Sequence, residues 1–207
     1  ITCNHMAVNR VSPPSGTTVS PTYNGLILTD YEITIDNQTH TLFRLGIELS
    51  VVDMHASVLS MWIAGIPGVD SMMAYGVCLV PVGALSGVER VAQIARDTRP
   101  KSIKCTVSFA QYLVKHMEER TGIDPRTLGL EKVVVFGEPG GSIPEIYEPL
   151  EKGFGGAMVH DIMGATGCHS PTGISCEEHN GIHFYAEDNA MFEICDPGTL
   201  QSLPIED

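Results

Sequence analysis

The fold is decided by the stretch Lys132-Val-Val-Val-Phe136 and the turn Gly137-Glu-Pro139 that follows it. Four consecutive apolar residues between a lysine and a glycine predict a short buried strand. Ser142 and Glu145 have the spacing of a capping box, so a helix is expected directly after the glycine-rich turn. A strand that leads through a tight turn into a helix is the repeating unit of an α/β fold.

The same unit is predicted on both sides of this stretch. Val77-Cys-Leu-Val-Pro-Val82, as a buried strand, and Ile103-Lys-Cys-Thr-Val107 precede it, and Ala157-Met-Val-His-Asp-Ile162 follows it. Capping boxes at Ser86 with Glu89 and at Ser108 with Gln111 predict the helices between them. The expected buried helix faces are Val88, Val91, Ala92 and Ala95 in the first helix, and Phe109, Tyr112, Leu113 and Met117 in the second. Short connections then predict a right-handed, partly parallel α/β sheet with flanking helices.

The pattern changes after residue 167. Gly181-Ile-His-Phe-Tyr185 and Met191-Phe-Glu-Ile-Cys195 predict short antiparallel strands. We therefore expect residues 1–167 to form a partial α/β subdomain and residues 168–207 to begin a small β-rich subdomain. The chain has no initial methionine and stops in a polar loop, so it is expected to be a fragment.

Composition excludes several classes of function. The net charge of -13 argues against a nucleic-acid partner, which requires a basic surface. The sequence contains neither a run of about 20 apolar residues that would span a membrane nor a signal peptide. Six cysteines without a regular framework are typical of reduced thiols, which favours a cytoplasmic location.

Loops near the predicted strand ends offer a ligand site. Gly137-Glu-Pro139 and Gly164-Ala-Thr166 both follow strands, and the carboxyl ends of parallel strands meet at one edge, so both loops are expected to face one pocket. Near the N-terminus, Ser12-Pro-Pro-Ser-Gly-Thr-Thr-Val-Ser-Pro21 combines hydroxyl groups with a glycine that lets an anion approach the backbone. From its residues alone, a solvated surface loop is the favoured interpretation of this segment.

Four motifs in order resemble those of the adenylate-forming acyl-CoA synthetases, closest to the phenylacetate-CoA ligase branch. They are Ser15-Gly-Thr-Thr18 with Pro21, Phe136-Gly-Glu-Pro139, Asp161-Ile-Met-Gly-Ala-Thr166, and the stretch from Cys176-Glu-Glu-His-Asn-Gly-Ile-His183 to Glu193-Ile-Cys-Asp-Pro197. The resemblance covers nearly the whole chain. It implies a fragment of the large N-terminal domain, without the ribose-binding aspartate and the lid domain that carries the catalytic lysine.

The resemblance also implies a reaction and a set of site residues. A carboxylic acid would react with ATP to give an acyl-adenylate, with Mg²⁺ on the phosphates, and CoA would then displace AMP. The implied roles are phosphate binding by Ser15, Gly16, Thr17 and Thr18, adenine contacts by Gly137, Glu138 and Pro139, and AMP binding by Asp161, Ile162, Met163, Gly164, Ala165 and Thr166. Thr166, as a donor to the α-phosphate, and Glu138 are the expected catalytic residues.

The motifs depart from the family pattern at important positions. Val19-Ser20 replaces Gly-Lys in the phosphate loop, which removes a cation. Met163 replaces an aromatic residue against the adenine, although its polarizable sulfur can still pack on a purine. Gly167 replaces the glutamate that binds Mg²⁺ in the family, and Glu138 is the nearest candidate carboxylate by motif. These changes favour weakened catalysis.

The acid and a second metal remain open in the sequence. Met61 and Trp62 are expected to line the acyl pocket, which favours an aryl or apolar acid, although both side chains are also compatible with a structural core. Cys176 and His183 are candidate Zn²⁺ ligands because thiolate and imidazole suit that ion, and a thiol and a histidine at a strand end are the alternative.

Two interpretations of function follow. The first is an AMP-forming acyl- or aryl-CoA ligase with ATP, CoA and a small carboxylic acid as partners and no nucleic acid or membrane partner. The second is a catalytically impaired homologue, or a truncated fragment, that binds a nucleotide or a protein partner without turnover. The resemblance is compatible with a homodimer.

Overall fold

The computed structural model describes residues 7–12, 23–168, 170–185 and 189–204, and for Thr166 and Ser170 it describes the backbone only. The strands are β1 Arg10–Ser12, β2 Asn24–Leu26, β3 Val52–His55, β4 Cys78–Pro81, β5 Ser102–Cys105, β6 Lys132–Phe136, β7 Met158–Ala165, β8 Ser170–Ser175 and β9 Ile182–Phe184. The helices are α1 Leu28–Arg44, α2 Ile66–Tyr75, α3 Gly87–Thr98, α4 Val107–Thr121 and α5 Pro144–Gly153.

Within the described residues, seven strands form one sheet in the order β4-β3-β5-β6-β7-β8-β9. The strands from β4 to β7 are parallel, and β8 and β9 extend the sheet as antiparallel strands. β1 and β2 form a separate two-stranded ribbon. The predicted fold class, an α/β fold with a partly parallel sheet and flanking helices, is confirmed.

One face of the sheet carries the main hydrophobic core. Met54, Ile103, Val133, Val135 and Val159 point to this face, and each is at most 1% exposed. Helices α3, α4 and α5 cover it with a further set of buried side chains: Val88, Val91, Ala92, Ala95, Val107, Ala110, Leu113, Met117, Leu150 and Phe154. The predicted apolar face of α3 is confirmed residue by residue. Apolar burial of this extent is the main source of stability in an α/β domain.

The opposite face is smaller in apolar area and carries polar side chains. It is covered by α1 and α2, with Leu42, Met72 and Val134 among its apolar contacts. In the parallel register His55 lies beside Lys104, and each alternates with apolar residues that enter the main core. Side chains alternate between the two faces of a strand, so β3 and β5 present their polar residues to α1 and α2.

Three details of the sequence analysis are wrong at helix starts. Ser86 and Ser142 make no capping hydrogen bond, since Ser86 donates to the carbonyl of Val82 and Ser142 donates to Asp161. Helix α4 begins two residues earlier than predicted because the cap is Thr106, rather than Ser108, and its side chain accepts the hydrogen bond from Phe109 N–H. Consequently Val107 and Ala110 take buried positions, whereas Phe109 is only half-buried and Tyr112 is exposed.

Two predicted strands are also corrected. The strand at residues 77–82 exists as β4 but lies at the edge of the sheet, with exposed Cys78 and Pro81, and is not a buried strand. A proline is tolerated there because an edge strand does not need every backbone donor. Residues 191–195 form no strand; Cys195 alone makes a bridge to Ser202.

Two further predictions concern the whole chain. The predicted antiparallel strand at residues 181–185 is confirmed as β9, and it pairs with β8 in the same sheet as the parallel strands. The division into subdomains at residue 167 stays a prediction. Among the described residues, no helix has the length and apolar character needed to cross a membrane.

Candidate functional site

A cavity of about 420 Å³ lies at the carboxyl ends of the parallel strands, between the sheet and helices α1 and α2. Ligands of open α/β sheets bind at this edge, and the volume suits a small organic molecule. His55 ends β3, Lys104 lies near the end of β5, and Phe136 ends β6. The described residues that line it are Gln38, Thr41, Leu42, His55, Trp62, Ile63, Ala64, Gly68, Ser71, Met72, Lys104, Phe136, Gly137, Ile162, Gly164, Ala165, Gly167 and Pro171.

The side walls of the cavity are formed by two aromatic side chains, and an imidazole stacks on one of them. The Trp62 ring lies 5.8 Å from the Phe136 ring at an interplanar angle of 49°, and the His55 ring stacks on Phe136 at 6.2 Å. Trp62 is fixed by its indole N–H, which donates to the carbonyl of Val58 at 2.8 Å. Gly137 has φ +78°, and a Cβ there would lie 3.0 Å from the Trp62 ring, so glycine is required for this wall to form.

Three polar side chains, Gln38, His55 and Lys104, form what we term the polar floor of the cavity. Gln38 is 7% exposed, His55 1% and Lys104 4%. Lys104 Nζ donates to the carboxylate of Asp53, which is itself fully buried behind it. The amide nitrogen of Gln38 has no hydrogen-bond partner among the described residues, and the backbone of Ala64 is the one group placed to bond the His55 ring there, with geometry too poor for a normal hydrogen bond. Buried polar groups in proteins normally have a partner, which is a protein group, an ordered water or a ligand.

Burial sets the protonation of the floor. Desolvation, assisted by the nearby Lys104 charge, lowers the pKa of His55 to about 4, and the Ala64 carbonyl opposes this shift only weakly. The imidazole is therefore neutral at physiological pH and offers one donor and one acceptor. Desolvation also lowers the pKa of Lys104, and the Asp53 carboxylate opposes that shift by stabilising the ammonium.

The predicted adenine and AMP segments lie together at the mouth of this cavity. Gly137, Ile162, Gly164 and Ala165 line it, as the parallel register of Phe136 with Ile162 requires. Asp161 is turned away from the lining and accepts a hydrogen bond from Ser142 Oγ at 3.2 Å, and burial raises the pKa of its carboxyl. Met163 is half-exposed beside a β-bulge, and Pro139 is exposed.

The two positions implied for metal binding behave differently. The Glu138 carboxylate accepts hydrogen bonds from the N–H and Oγ of Ser108, at 2.6 and 2.7 Å, at the start of α4. Gly167 lines the cavity, and a Cβ built there meets no atom within 4 Å. The cavity lining includes no carboxylate within the described part of the chain. The described lining therefore does not form a Mg²⁺ site, because such a site uses carboxylate oxygens of the protein in addition to the phosphates.

Several predicted residues have no described placement. Ser15, Gly16, Thr17 and Thr18 lie outside the described residues, as does the side chain of Thr166, whose backbone starts a short 3-10 turn. Of the two residues predicted for the acyl pocket, Trp62 lines the cavity, whereas Met61 does not and is 47% exposed.

The predicted zinc ligands are neighbours at the β8–β9 hairpin. A hydrogen bond with the His183 ring is the largest of the effects that lower the pKa of the Cys176 thiol, which makes the thiolate more accessible. In the described ranges, however, no three Cys, His, Asp or Glu side chains converge into a group able to hold a metal ion. Two ligands cannot complete the tetrahedral geometry of a structural zinc site.

Sequence reasoning missed the polar floor. The signal was present, because charged residues alternate with apolar ones in Val52-Asp-Met-His55 and Ser102-Ile-Lys-Cys105. Alternation usually indicates a strand with one solvated face, but parallel strands in α/β folds are covered on both faces. Charged residues on such strands are therefore buried, and buried charges point to a site.

No protein-family model matches the chain. A phenylacetate-coenzyme A ligase from Thermus thermophilus is 30% identical over 200 residues, which are 95% of this chain and 43% of that protein. A crystal structure of 2-hydroxyisobutyryl-CoA ligase with 2-HIB-AMP and CoA has a TM-score of 0.86 at 24% identity and covers 98% of this chain and 43% of that one. O-succinylbenzoate coenzyme A synthetase from Bacillus subtilis, with ATP and magnesium ion, has a TM-score of 0.63 at 15% identity and covers 82% of this chain and 33% of that one.

These matches confirm the resemblance that the motifs indicated and the predicted fold. The chain spans less than half the length of each of these relatives.

Proposed function

We propose that this homologue of phenylacetate-CoA ligase contributes the acid- and nucleotide-binding half of an AMP-forming carboxylate–CoA ligase. The proposed substrates are a small, aryl-containing carboxylic acid, ATP and CoA. The homology supports the proposed class of reaction, and the lining of the cavity supports the roles proposed for individual residues.

The observation that supports the proposal most is that one cavity joins the predicted nucleotide segments to an aromatic pocket. Gly137 and Ala165 lie at its mouth, while Trp62 and Phe136 wall its interior. An acyl-adenylate has the same two-part form, with a nucleotide at one end and an acyl group at the other. The geometry thus suits an acid held by its apolar part, with its carboxylate directed towards ATP bound at the mouth.

The chemistry that this arrangement supplies is positioning. In the proposed first step the carboxylate attacks the α-phosphorus of ATP and pyrophosphate leaves; in the second, the CoA thiol displaces AMP from the acyl carbon. Trp62 and Phe136 would fix the acyl group and exclude water. The glycines at positions 137 and 164 would let the nucleotide approach the backbone closely. The proposed phosphate contacts of Ser15, Gly16, Thr17 and Thr18 complete the site.

The metal is the weakest element of the proposed site. Glycine at position 167 leaves the lining without a carboxylate, and Glu138 already caps α4 through Ser108. We therefore assign no step to Mg²⁺ through the described residues. A nucleotide would bring its own Mg²⁺ on the phosphates, as that ion commonly binds.

The decisive experiment is pyrophosphate release by the full-length protein with ATP, Mg²⁺ and a panel of aryl acids. We expect acid-dependent release, and Trp62→Ala should lower kcat/KM at least about tenfold because it removes a wall of the acyl pocket. Met61→Ala is the matched control, because Met61 is the exposed neighbour of Trp62 and does not line the cavity. Absence of acid-dependent release, or equal losses in the two variants, would count against the proposed function.

A second candidate function is nucleotide or acid binding without turnover. It is favoured by one observation, the glycine at position 167 in a lining that has no carboxylate. Calorimetry with AMP and ATP separates the candidates. Nucleotide binding together with no pyrophosphate release over the acid panel would support the binding protein, and no heat at about 1 mM nucleotide would contradict both.

Three finer predictions remain proposals. Zinc at Cys176 and His183 would need further ligands beyond the pair described at the hairpin, and less than about a tenth of an equivalent of zinc in purified protein would contradict it. A homodimer is tested by sedimentation equilibrium. A cytoplasmic location is tested by fractionation of the producing cells.

A further inference from the structure

The polar floor places hydrogen-bonding groups at the cavity that the described part of the chain does not fully satisfy. His55 and Gln38 are at least nine-tenths buried. In the described part of the chain the Gln38 amide nitrogen has no partner, and the Ala64 backbone can engage only one nitrogen of the His55 ring, so at least one ring nitrogen is left for a ligand. A Cβ added at Gly68 would lie 3.7 Å from Gln38 Oε1 and 3.8 Å from His55 Cε1, so both side chains border the same space. An unsatisfied buried group costs about 1–3 kcal/mol, which a ligand that supplies the missing hydrogen bonds would recover.

The charges of the floor exclude a second carboxylate as the group recognised there. Lys104 is the charged residue of the described lining, and Asp53 already neutralises it. A further anion would enter a buried environment without a free counter-charge, which is unfavourable. A neutral group avoids this cost.

The hydrogen-bonding capacity of the floor specifies that neutral group more closely. A neutral imidazole presents one donor and one acceptor, and the Gln38 amide nitrogen presents donors. A hydroxyl group both donates and accepts, so it can satisfy His55 and Gln38 together. The aromatic walls at Phe136 and Trp62 lie next to the floor and favour a planar ring as its carrier.

We propose that His55 and Gln38 determine substrate specificity by binding a hydroxyl group at the far end of an aryl-containing acid. This inference deepens the proposed function and rests on it for the identity of the ligand as a carboxylic acid. Lys104 lies beside His55 in the β3–β5 register, and its charge is neutralised by Asp53.

The test compares the binding of phenylacetic acid with that of its three ring-hydroxylated isomers. Calorimetry on the full-length protein, with AMP present, gives the dissociation constant of each acid. We expect at least one hydroxylated isomer to bind at least about tenfold more tightly than phenylacetic acid, because one satisfied buried polar group is worth about that factor. Equal affinities of all four acids, or no binding of any, would overturn the proposal.

Two variants locate the effect. His55→Phe keeps the ring against Phe136 and removes both nitrogens, so the preference for the hydroxylated acid should fall to within about twofold. Gly68→Ala places a methyl group in van der Waals contact with both specificity residues and should weaken the preferred isomer more than phenylacetic acid. Should His55→Phe fail to fold, as judged by circular dichroism, Gly68→Ala decides. A preference that persists in the folded variants would refute the assignment.

Failure of the inference and failure of the proposed function give different results. Pyrophosphate release with all four acids at similar kcat/KM would support the ligase reaction and contradict the assignment of His55 and Gln38 as specificity residues. A preference for a hydroxylated acid in binding, without pyrophosphate release, would support the assignment of His55 and Gln38 and contradict the ligase reaction. His40→Phe is the matched control variant, because that histidine is exposed on α1 and its replacement should leave every dissociation constant unchanged.

Discussion

Replacing His55 by glutamine should remove an acid sensitivity that the wild-type protein carries. Burial and the Lys104 charge lower the pKa of His55 from 6.5 to about 4. The unfolded chain binds a proton at this site from about pH 6.5 downwards, whereas the folded chain does so only near pH 4. Stability is therefore fully present above pH 6.5 and falls as the pH decreases towards 4. The loss amounts to about 2 kcal/mol between about pH 7.5 and 5, and to about 3 kcal/mol below pH 4.

Urea denaturation of the wild type and His55→Gln over this pH range gives the free energy of unfolding of each. The difference between the two proteins cancels the titration of groups that both contain, including His160, whose pKa burial also lowers. His40→Gln, at a histidine whose side chain is 64% exposed beside Asp36, is the control and should differ from wild type by less than about 0.5 kcal/mol at every pH. A pH-independent difference between wild type and His55→Gln would refute the burial of a neutral ring.

Three other substitutions test the fold and the site. Lys104→Met should lower the free energy of unfolding, measured by urea denaturation, by about 3–5 kcal/mol, because it leaves the buried Asp53 carboxylate without a counter-charge. The double variant that also carries Asp53→Leu should recover most of that loss. Phe154→Ala should cost about 3–5 kcal/mol by opening a cavity in the main core, and Phe43→Ala, at a side chain that is 74% exposed, should cost less than about 0.5 kcal/mol. At position 167 an added Cβ would meet no described atom within 4 Å. Gly167→Glu should therefore raise Mg²⁺-dependent pyrophosphate release at least about tenfold over Gly167→Gln, and equal rates would contradict a missing metal carboxylate.

Much of the fold could be predicted because the main core follows apolar periodicity. The buried face of α3 and the bounds of β6 agree with the sequence pattern residue by residue. Helix α1 gave no such pattern, since Thr34, Asn37, Gln38 and Thr41 occupy its buried face. Their spacing is helical, but periodicity of polar residues is normally assigned to the solvated side. The same tertiary context that buries this face also made the helix hard to predict.

The predicted helix caps were wrong because the spacing within a motif does not show which other partners a serine has. A serine with a glutamate or glutamine three residues later has the composition of a capping box, but each serine has competing partners. Ser86 reaches back to Val82, and Ser108 is held by Glu138 from the next strand's loop. The second contact joins residues 30 positions apart, and such a tertiary partner cannot be read from the spacing within one motif.

The two faces of the sheet divide stability and recognition between them. On the α3–α5 face, apolar side chains are buried almost completely, and each contributes to folding regardless of any ligand. On the other face, the floor residues sacrifice stability, because every unpaired nitrogen and the desolvated Lys104–Asp53 pair cost more than an apolar residue of the same size would. A ligand that supplies the missing hydrogen bonds would return this cost. Ligand binding should therefore protect the β3 and β5 amides from hydrogen exchange more than those of β4 at the sheet edge.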